Sequence, residues 1–332
     1  MYRTTALTAL ILTILAAGFF GVSPTFGVDP EPIRTAMLPR AHAATPESQP
    51  FSQGKPAVGV YLLGLRVGLR TSEPFREVEP AVGAADGLVF SAPPRETPAE
   101  GARLYQPLAD YLSQALGRRV AYRHPGTWGV YRTEVLQGKY DLVFDDPHLT
   151  SYHTEKHGYH SIVKFSEHFQ YAVIVRSDYV FKSVARLRGQ TFCTFAPPNL
   201  GTLVLLSLFD NPARQPVLLS VNSWEEAYRG VVGGQCVGGV MPLPMARKLD
   251  PDNRQIRVVF NSTEFPHQAV SAGPRLSVEE RNLVRAALVG SGAAEPTAKL
   301  RAQWNTPNGF VAAANEEYAG LSDYLSSEWG FY

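Results

Sequence analysis

From Gly87 onward the sequence repeats one unit, a short apolar run followed by a capped amphipathic stretch and another apolar run. That alternation admits few folds, because parallel strands need crossover connections and the crossovers here have helical periodicity. Leu88–Ala92 reads as a strand. Thr97-Pro98-Ala99-Glu100 has capping-box spacing with Pro at the first helical position, and Tyr105, Leu108, Ala109, Leu112 and Leu116 recur at helical spacing before Gly117. Arg119–Arg123 is a second strand. Thr127 can cap a helix carrying Trp128, Tyr131 and Val135, Asp141–Phe144 is a third strand, and Leu149–Lys156 is a short helix closed by Gly158.

Phe169–Arg176 reads as a longer, central strand. A second run of the same kind then begins, with strands at Gln190–Phe195, Val217–Val221, Cys236–Met241 and Ile256–Phe260. Its helices are Gly201–Phe209 and one capped by Ser223-Trp224-Glu225-Glu226. The strand Gln268–Ala272 follows. Ser277 caps a helix through Leu288, and further helices lie near Pro296–Trp304 and Asn315–Ser326. One module is therefore inserted in another, and the chain crosses between lobes near Val175–Asp178 and Phe265–Gln268. The expectation is an α/β chain of two lobes, residues 87–176 with 268–332 and residues 177–267, each a mostly parallel sheet flanked by helices. A two-crossing hinge joins them, and ligands bind at such domain interfaces.

Composition narrows the function. With 332 residues, 45% hydrophobic and 18% charged, and a net charge of +1, the chain can fill cores but lacks the polyelectrolyte character of a nucleic-acid binder. No nucleic-acid partner is expected. Residues 1–43 resemble a signal peptide or membrane anchor: Tyr2-Arg3, an apolar run over 6–22, then small-x-small sites at Thr25-Phe26-Gly27 and Ala41-His42-Ala43. The chain is therefore expected to be exported, with residues 6–22 either cleaved away or retained as a tether. Residues 44–86 read as a linker, in which Val58–Leu69 can form a strand or hairpin but has no evident partner. The two cysteines, Cys193 and Cys236, fall on neighbouring strands of the inner lobe, so one disulfide or two buried thiols are open.

Several segments carry a family resemblance. Leu88–Ala92, Gln106–Gly117, Gly138–Phe144, Tyr171–Asp178, Leu187–Phe192 and Ser277–Arg281 are similar to the phosphate/phosphite/phosphonate-type periplasmic substrate-binding proteins of ABC transporters. The resemblance covers about residues 87–325. It implies a type 2 periplasmic binding protein fold, a small-molecule ligand and delivery to an ABC permease. The ligand loops depart from the family. Its Ser/Thr-Ser-Gly run becomes Pro197-Pro198-Asn199-Leu200-Gly201-Thr202, an acidic residue becomes Met241, and an apolar-Gly-Pro loop becomes Asp145-Asp146-Pro147-His148. Two carboxylates repel a dianionic phosphonate unless they are protonated or paired.

Polar groups at the carboxyl ends of buried strands are the usual ligand contacts in open α/β sheets. By that rule Ser91, Arg95, Trp128, Asp145, Asp146 and His148 line the cleft from the first lobe, and Asn199, Gly201, Thr202 and Met241 from the second. Arg95 can pair with a carboxylate or phosphate. Trp128, Tyr105 and Tyr152 either form an aromatic wall or pack helix stripes. His153 and His157, at i and i+4, share a helix face and with His148 could chelate a metal. Helix direction separates His148 from His157, so no metal is expected and a solvated helix face is the default. The sequence has no G-x-S-x-G, no H-E-x-x-H and no phosphate-cradling Gly loop, so neither an enzyme nor a cofactor is expected. The reading is a monomeric, periplasmic solute-binding protein for a small polar or anionic ligand. The alternatives are a sensor coupled to a membrane signalling partner, or a metal-binding protein using His148 with Asp145 and Asp146.

Overall fold

The computed structural model describes residues 61–62, 65–66, 87–328 and 330–331. The expected signal segment, and all of the expected linker but those first four residues, lie outside them. The chain divides into residues 1–74 and 75–332. In the first unit β1 (Tyr61–Leu62) and β2 (Leu65–Arg66) pair antiparallel, which makes the expected hairpin.

The second unit opens with β3 (Gly87–Ser91) and α1 (Pro98–Leu116). Thr97 and Glu100 form the reciprocal capping box, and Gly117 ends the helix at φ 59°, a conformation that costs a side-chain-bearing residue more than glycine. Next come β4 (Arg119–Tyr122), α2 (Trp128–Leu136), β5 (Leu142–Asp145), α3 (Pro147–His157), β6 (His160–Phe165) and β7 (His168–Phe169). The inserted part holds β8 (Tyr171–Arg176), β9 (Thr191–Thr194), α4 (Leu200–Ser207), β10 (Val217–Ser220), α5 (Trp224–Val232), β11 (Gly238–Pro242), α6 (Leu243–Leu249) and β12 (Ile256–Asn261). The chain returns through β13 (Phe265–Pro266) and β14 (Ala269–Ala272). It ends with α7 (Val278–Val289), α8 (Ala298–Trp304), β15 (Phe310–Ala312) and 3-10 turns at Asn315–Glu317 and Leu321–Leu325.

Two sheets organise two lobes. The first has strand order β15-β6-β14-β5-β3-β4 and the second β10-β9-β11-β8-β12. β3 pairs in parallel with β4 and β5, and β9 pairs in parallel with β10 and β11. The remaining pairings are antiparallel, so both sheets are mixed rather than mostly parallel. The cause is the hinge. β14 re-enters its lobe directly from the crossing, with no helix before it, and such a strand joins antiparallel.

The crossings themselves pair as a small ribbon, β7 with β13, Phe265 opposite Phe169. Tyr171–Arg176 belongs to the second sheet, between β11 and β12, with Tyr171 opposite Pro242. The first crossing thus falls at β7 and not near Val175–Asp178. Only Gln170 separates β7 from β8, so one apolar run in sequence spans the hinge ribbon and a strand of the other lobe.

Alternation along the strands builds the cores. Phe90, Leu104, Leu108, Leu112, Leu142, Phe144, Ile162 and Val270 fill the first lobe. On β8, Tyr171 and Val173 face α4, whereas Ala172 and Ile174 face α5 and α6. Cys193 and Cys236 form a disulfide on the α5 side, with Cα atoms 5.7 Å apart. Gly230 of α5 fits against it, since a Cβ there would stand 2.5 Å from the Cys193 Sγ.

The bridge closes a loop with a sequence separation of 43 residues. Loop-closure entropy for that length stabilises the fold by about 4 kcal/mol. The Cys193→Ser/Cys236→Ser variant should lose about 2–4 kcal/mol in denaturant melts, and an unchanged midpoint in reductant would contradict this.

Candidate functional site

β3 and β5 run parallel and end at the same sheet edge, so the loop carrying Arg95 and the Asp145-Asp146 pair emerge side by side. Consecutive strand-end residues point to opposite faces, and the two carboxylates part company. Asp146 stands at the N-cap of α3 but makes no cap hydrogen bond. Its Oδ2 accepts Arg95 Nε at 3.0 Å and its Oδ1 accepts Gln268 Nε2 at 2.8 Å. Arg95 Nη2 is also 3.0 Å from Asp146 Oδ2. The guanidinium lies 5.3 Å from the Trp304 ring centroid.

Both charges are sheltered, with side-chain exposures of 15% for Arg95 and 13% for Asp146. Burial opposes ionisation of Asp146, yet Arg95 foremost, with the Gln268 hydrogen bond, outweighs it and holds the carboxyl below its ordinary range. Burial likewise works against the Arg95 charge, and Asp146, Tyr105 and Glu96 around it raise its pKa. The pair is therefore ionised on both sides. Arg95 Nη1 and Gln268 Oε1 are buried without hydrogen-bond partners.

The second lobe meets this edge. His148, in the first turn of α3, places Nε2 2.8 Å from the Pro198 carbonyl oxygen. A carbonyl only accepts, so Nε2 carries the proton, and Nδ1 is buried without a partner. Burial keeps this imidazole neutral by lowering its pKa. Tyr171 stands at the start of β8. Burial, followed by the Asp146 carboxylate, raises its pKa, and Arg95 opposes them. Gly201 of α4 lies under the Tyr171 ring, where a Cβ would be 2.6 Å from Cδ1 and Cε1.

Of the expected contacts, Arg95 and Asp146 meet each other with Gln268 and Trp304, His148 meets the Pro198 carbonyl, and Gly201 meets Tyr171. The other expected contacts are engaged with partners of their own. Asp145 is fully buried between α2 and α3, accepting the Tyr131 hydroxyl at 2.5 Å and His153 Nδ1 at 2.8 Å. Ser91 donates to the Arg123 carbonyl at 2.8 Å. Asn199 caps α4 through the Thr202 N–H, and the Thr202 hydroxyl is 2.8 Å from that of Thr194. Met241 is buried on the α5 and α6 side of its sheet. Trp128 and Tyr152 pack with Leu149, Leu203 and Leu325, and Tyr105 lies in the first core, so they form no ligand wall.

Of the three imidazoles of α3, His153 and His157 share a face with ring centroids 6.0 Å apart, and His148 is turned to the second lobe. His148 faces Pro198, His153 faces Asp145, and His157 lies 5.0 Å from the Tyr152 ring. Nor is this a solvated helix face, because His153 is buried against Tyr131 and Tyr159. Among the described residues no group of three His, Cys, Asp or Glu is placed to hold a metal ion. Gln268 had a signal in the sequence, as the polar residue heading an apolar strand just after a crossing. Trp304, at the end of α8, had none.

Removing one partner of a buried ion pair costs about 3–5 kcal/mol, and replacing both with apolar residues recovers much of it. Asp146→Leu should therefore destabilise the protein by about 3 kcal/mol, and the Arg95→Leu/Asp146→Leu double variant by clearly less. Additive losses in that cycle would contradict the pairing. A second test concerns His267, beside the hinge. Its Nδ1 accepts the Gln268 N–H at 3.0 Å, and burial lowers its pKa from 6.5 to about 4. A lowered folded-state pKa means that stability is fully present above about pH 6.5 and is lost as the pH falls toward 4. Glu96 and Asp141, raised by burial, act in the opposite direction, so the comparison must be with a variant. Between pH 7 and 4.5, wild type should lose on the order of 2 kcal/mol more than His267→Asn in urea melts. Equal slopes would contradict it.

Comparison with known proteins agrees with this architecture. Residues 90–318 match the family of periplasmic substrate-binding proteins of phosphonate ABC transporters. No curated protein matches in sequence. Among solved structures, the XAC2383 protein of Xanthomonas citri bound to ATP is 16% identical with a TM-score of 0.60, over 73% of this chain and 98% of that one. PhnD1 of Prochlorococcus marinus in complex with methylphosphonate is 11% identical with a TM-score of 0.57, over 73% and 97%. A binding-protein component of an ABC phosphonate transporter from Pseudomonas aeruginosa is 15% identical with a TM-score of 0.52, over 70% and 83%. At these identities the likeness carries the fold. The match over most of the described residues carries the family: the chain belongs to the periplasmic phosphonate-binding proteins of ABC transporters.

Proposed function

We propose that the chain captures a small organic anion between its lobes in the periplasm and hands it to an ABC permease. The observation that carries this is the Arg95–Asp146–Gln268 cluster at the start of α3, from which His148 reaches the Pro198 carbonyl of the second lobe across a two-crossing hinge. Arg95 is the only guanidinium in that set. Its buried Nη1 is a donor suited to an anionic oxygen, and the planar fork favours carboxylate or phosphonate geometry. Asp146 orients the fork and spends part of the positive charge. The site is therefore matched to a ligand of low net charge better than to a dianion.

The hinge supplies capture and release. Rotation about the β7–β13 ribbon separates Pro198 from His148 and exposes the edge that carries Arg95. A ligand that binds both edges favours the closed state by its differential affinity. Export by residues 1–43 and a monomeric state complete the proposal. No helix among the described residues is long and apolar enough to cross a membrane. No observation favours the sensor or metal-binding readings over transport.

Thermal-shift and calorimetric titration of the purified protein with phosphate, methylphosphonate, aminoalkylphosphonates, carboxylates and amino acids tests this. An anion at one hundred times its Kd should add about 2.7 kcal/mol of stability. Arg95→Lys, which keeps the charge but loses the fork, should weaken binding at least tenfold. No shift with any anion would overturn the proposal.

A further inference from the structure

The two edges of the cleft differ in chemistry. On lobe 1 the edge carries Arg95, Asp146 and Gln268. On lobe 2 the segments at the matching strand ends, 195–204 and 238–246, contain no ionisable side chain. Pro197 and Pro198 offer no N–H ahead of α4, and the Thr202 N–H is taken by Asn199. Just outside these segments lie Glu225 and Glu226 in the first turn of α5, and Arg247 and Lys248 in the last turn of α6. These two strand-end segments themselves therefore offer an anion no charged anchor.

It has an aromatic ledge instead. Phe195 follows β9, and Trp224 begins α5. Their rings meet edge to face at 4.3 Å and 73°, and both remain half-buried rather than sealed in a core. Trp224 touches the clusters on both faces of the lobe 2 sheet, so it caps the carboxyl edge. Its ring is 6.5 Å from that of Tyr171, which lies over Gly201, three residues beyond the Pro198 carbonyl that meets His148. Ala196, next to Phe195, is exposed. From lobe 1 to lobe 2 the order is charged pair, Tyr171, Trp224, Phe195.

We propose that this ledge is a subsite for a planar, apolar substituent, and that the cleft takes an organic anion carrying an aryl or similar flat group rather than a compact oxyanion. The anionic head meets Arg95, and the flat group lies on Trp224 and Phe195, where ring contacts add to area burial. The inference rests on the anion-binding reading above and specifies its ligand class.

Two probes with the same head separate the questions: methylphosphonate and phenylphosphonate, titrated calorimetrically into the purified protein. The ledge predicts that phenylphosphonate binds at least tenfold tighter, a difference of about 1.4 kcal/mol. Trp224→Leu and Phe195→Ala should each bring the ratio of the two affinities toward one. Trp224 also helps cover the sheet, so the more peripheral Phe195→Ala keeps the test valid if Trp224→Leu fails to fold. Equal affinities, or a preference for phenylphosphonate that survives both substitutions, would overturn the subsite while leaving anion capture intact. Binding of neither probe would overturn the subsite, and anion capture falls with it if the other anions of the screen also fail to bind.

Discussion

The ion pair between Arg95 and Asp146 sets the geometry on which the rest of the seam between the lobes depends. A charge in that position is costly unless its partner and its remaining hydrogen bonds are in place. Asp146 meets the condition through Arg95 and Gln268, and its place at the α3 N-terminus adds a favourable helix dipole. Three separate segments are tied to one carboxylate: the loop after β3, the start of α3 and the entry to β14. Fixing the start of α3 also fixes His148, and His148 reaches the second lobe at Pro198.

The seam between the lobes is held by more than that contact. Leu149 and Tyr152 of α3, Leu203 of α4 and Leu325 near the C-terminus form one buried cluster drawn from both lobes. Burying each such side chain contributes about 1.5–3 kcal/mol. Residues 320–322 are tied to α3, where Glu155 accepts the Gly320 N–H at 2.9 Å and Ser151 accepts the Ser322 N–H at 3.0 Å. Leu321 and Tyr324 pack on the second lobe. Opening must offset this apolar contact, so closure relies on the protein's own surfaces as well as on ligand.

Much of this was legible in the sequence because its causes are local. Capping boxes at Thr97 and Ser277 fix helix starts within three residues, and the strand of Cys193 and the entry to that of Gly238 bring the two cysteines into bridging reach. What the sequence hid depends on side-chain parity and on distant pairing. Asp145 and Asp146 look equivalent in a motif, yet one faces α2 and the other faces Arg95 and Gln268. Met241 turns into the α5 side for the same reason. The sheet membership of Tyr171–Arg176 depends on pairing with β11, some seventy residues later, which no local pattern encodes. Gln268 and Trp304 join the site through the chain's return from the second lobe, and their role appears only once that return is traced.

The central claim is that an anion seats against Arg95 between the two lobes. A crystal structure of the protein with a bound organic anion tests it most directly. The account predicts an anionic oxygen within hydrogen-bond distance of Arg95 Nη1, enclosed by Asp146, Gln268 and Tyr171. A ligand held elsewhere on the molecule, with Arg95 still engaged by Asp146 alone, would contradict it.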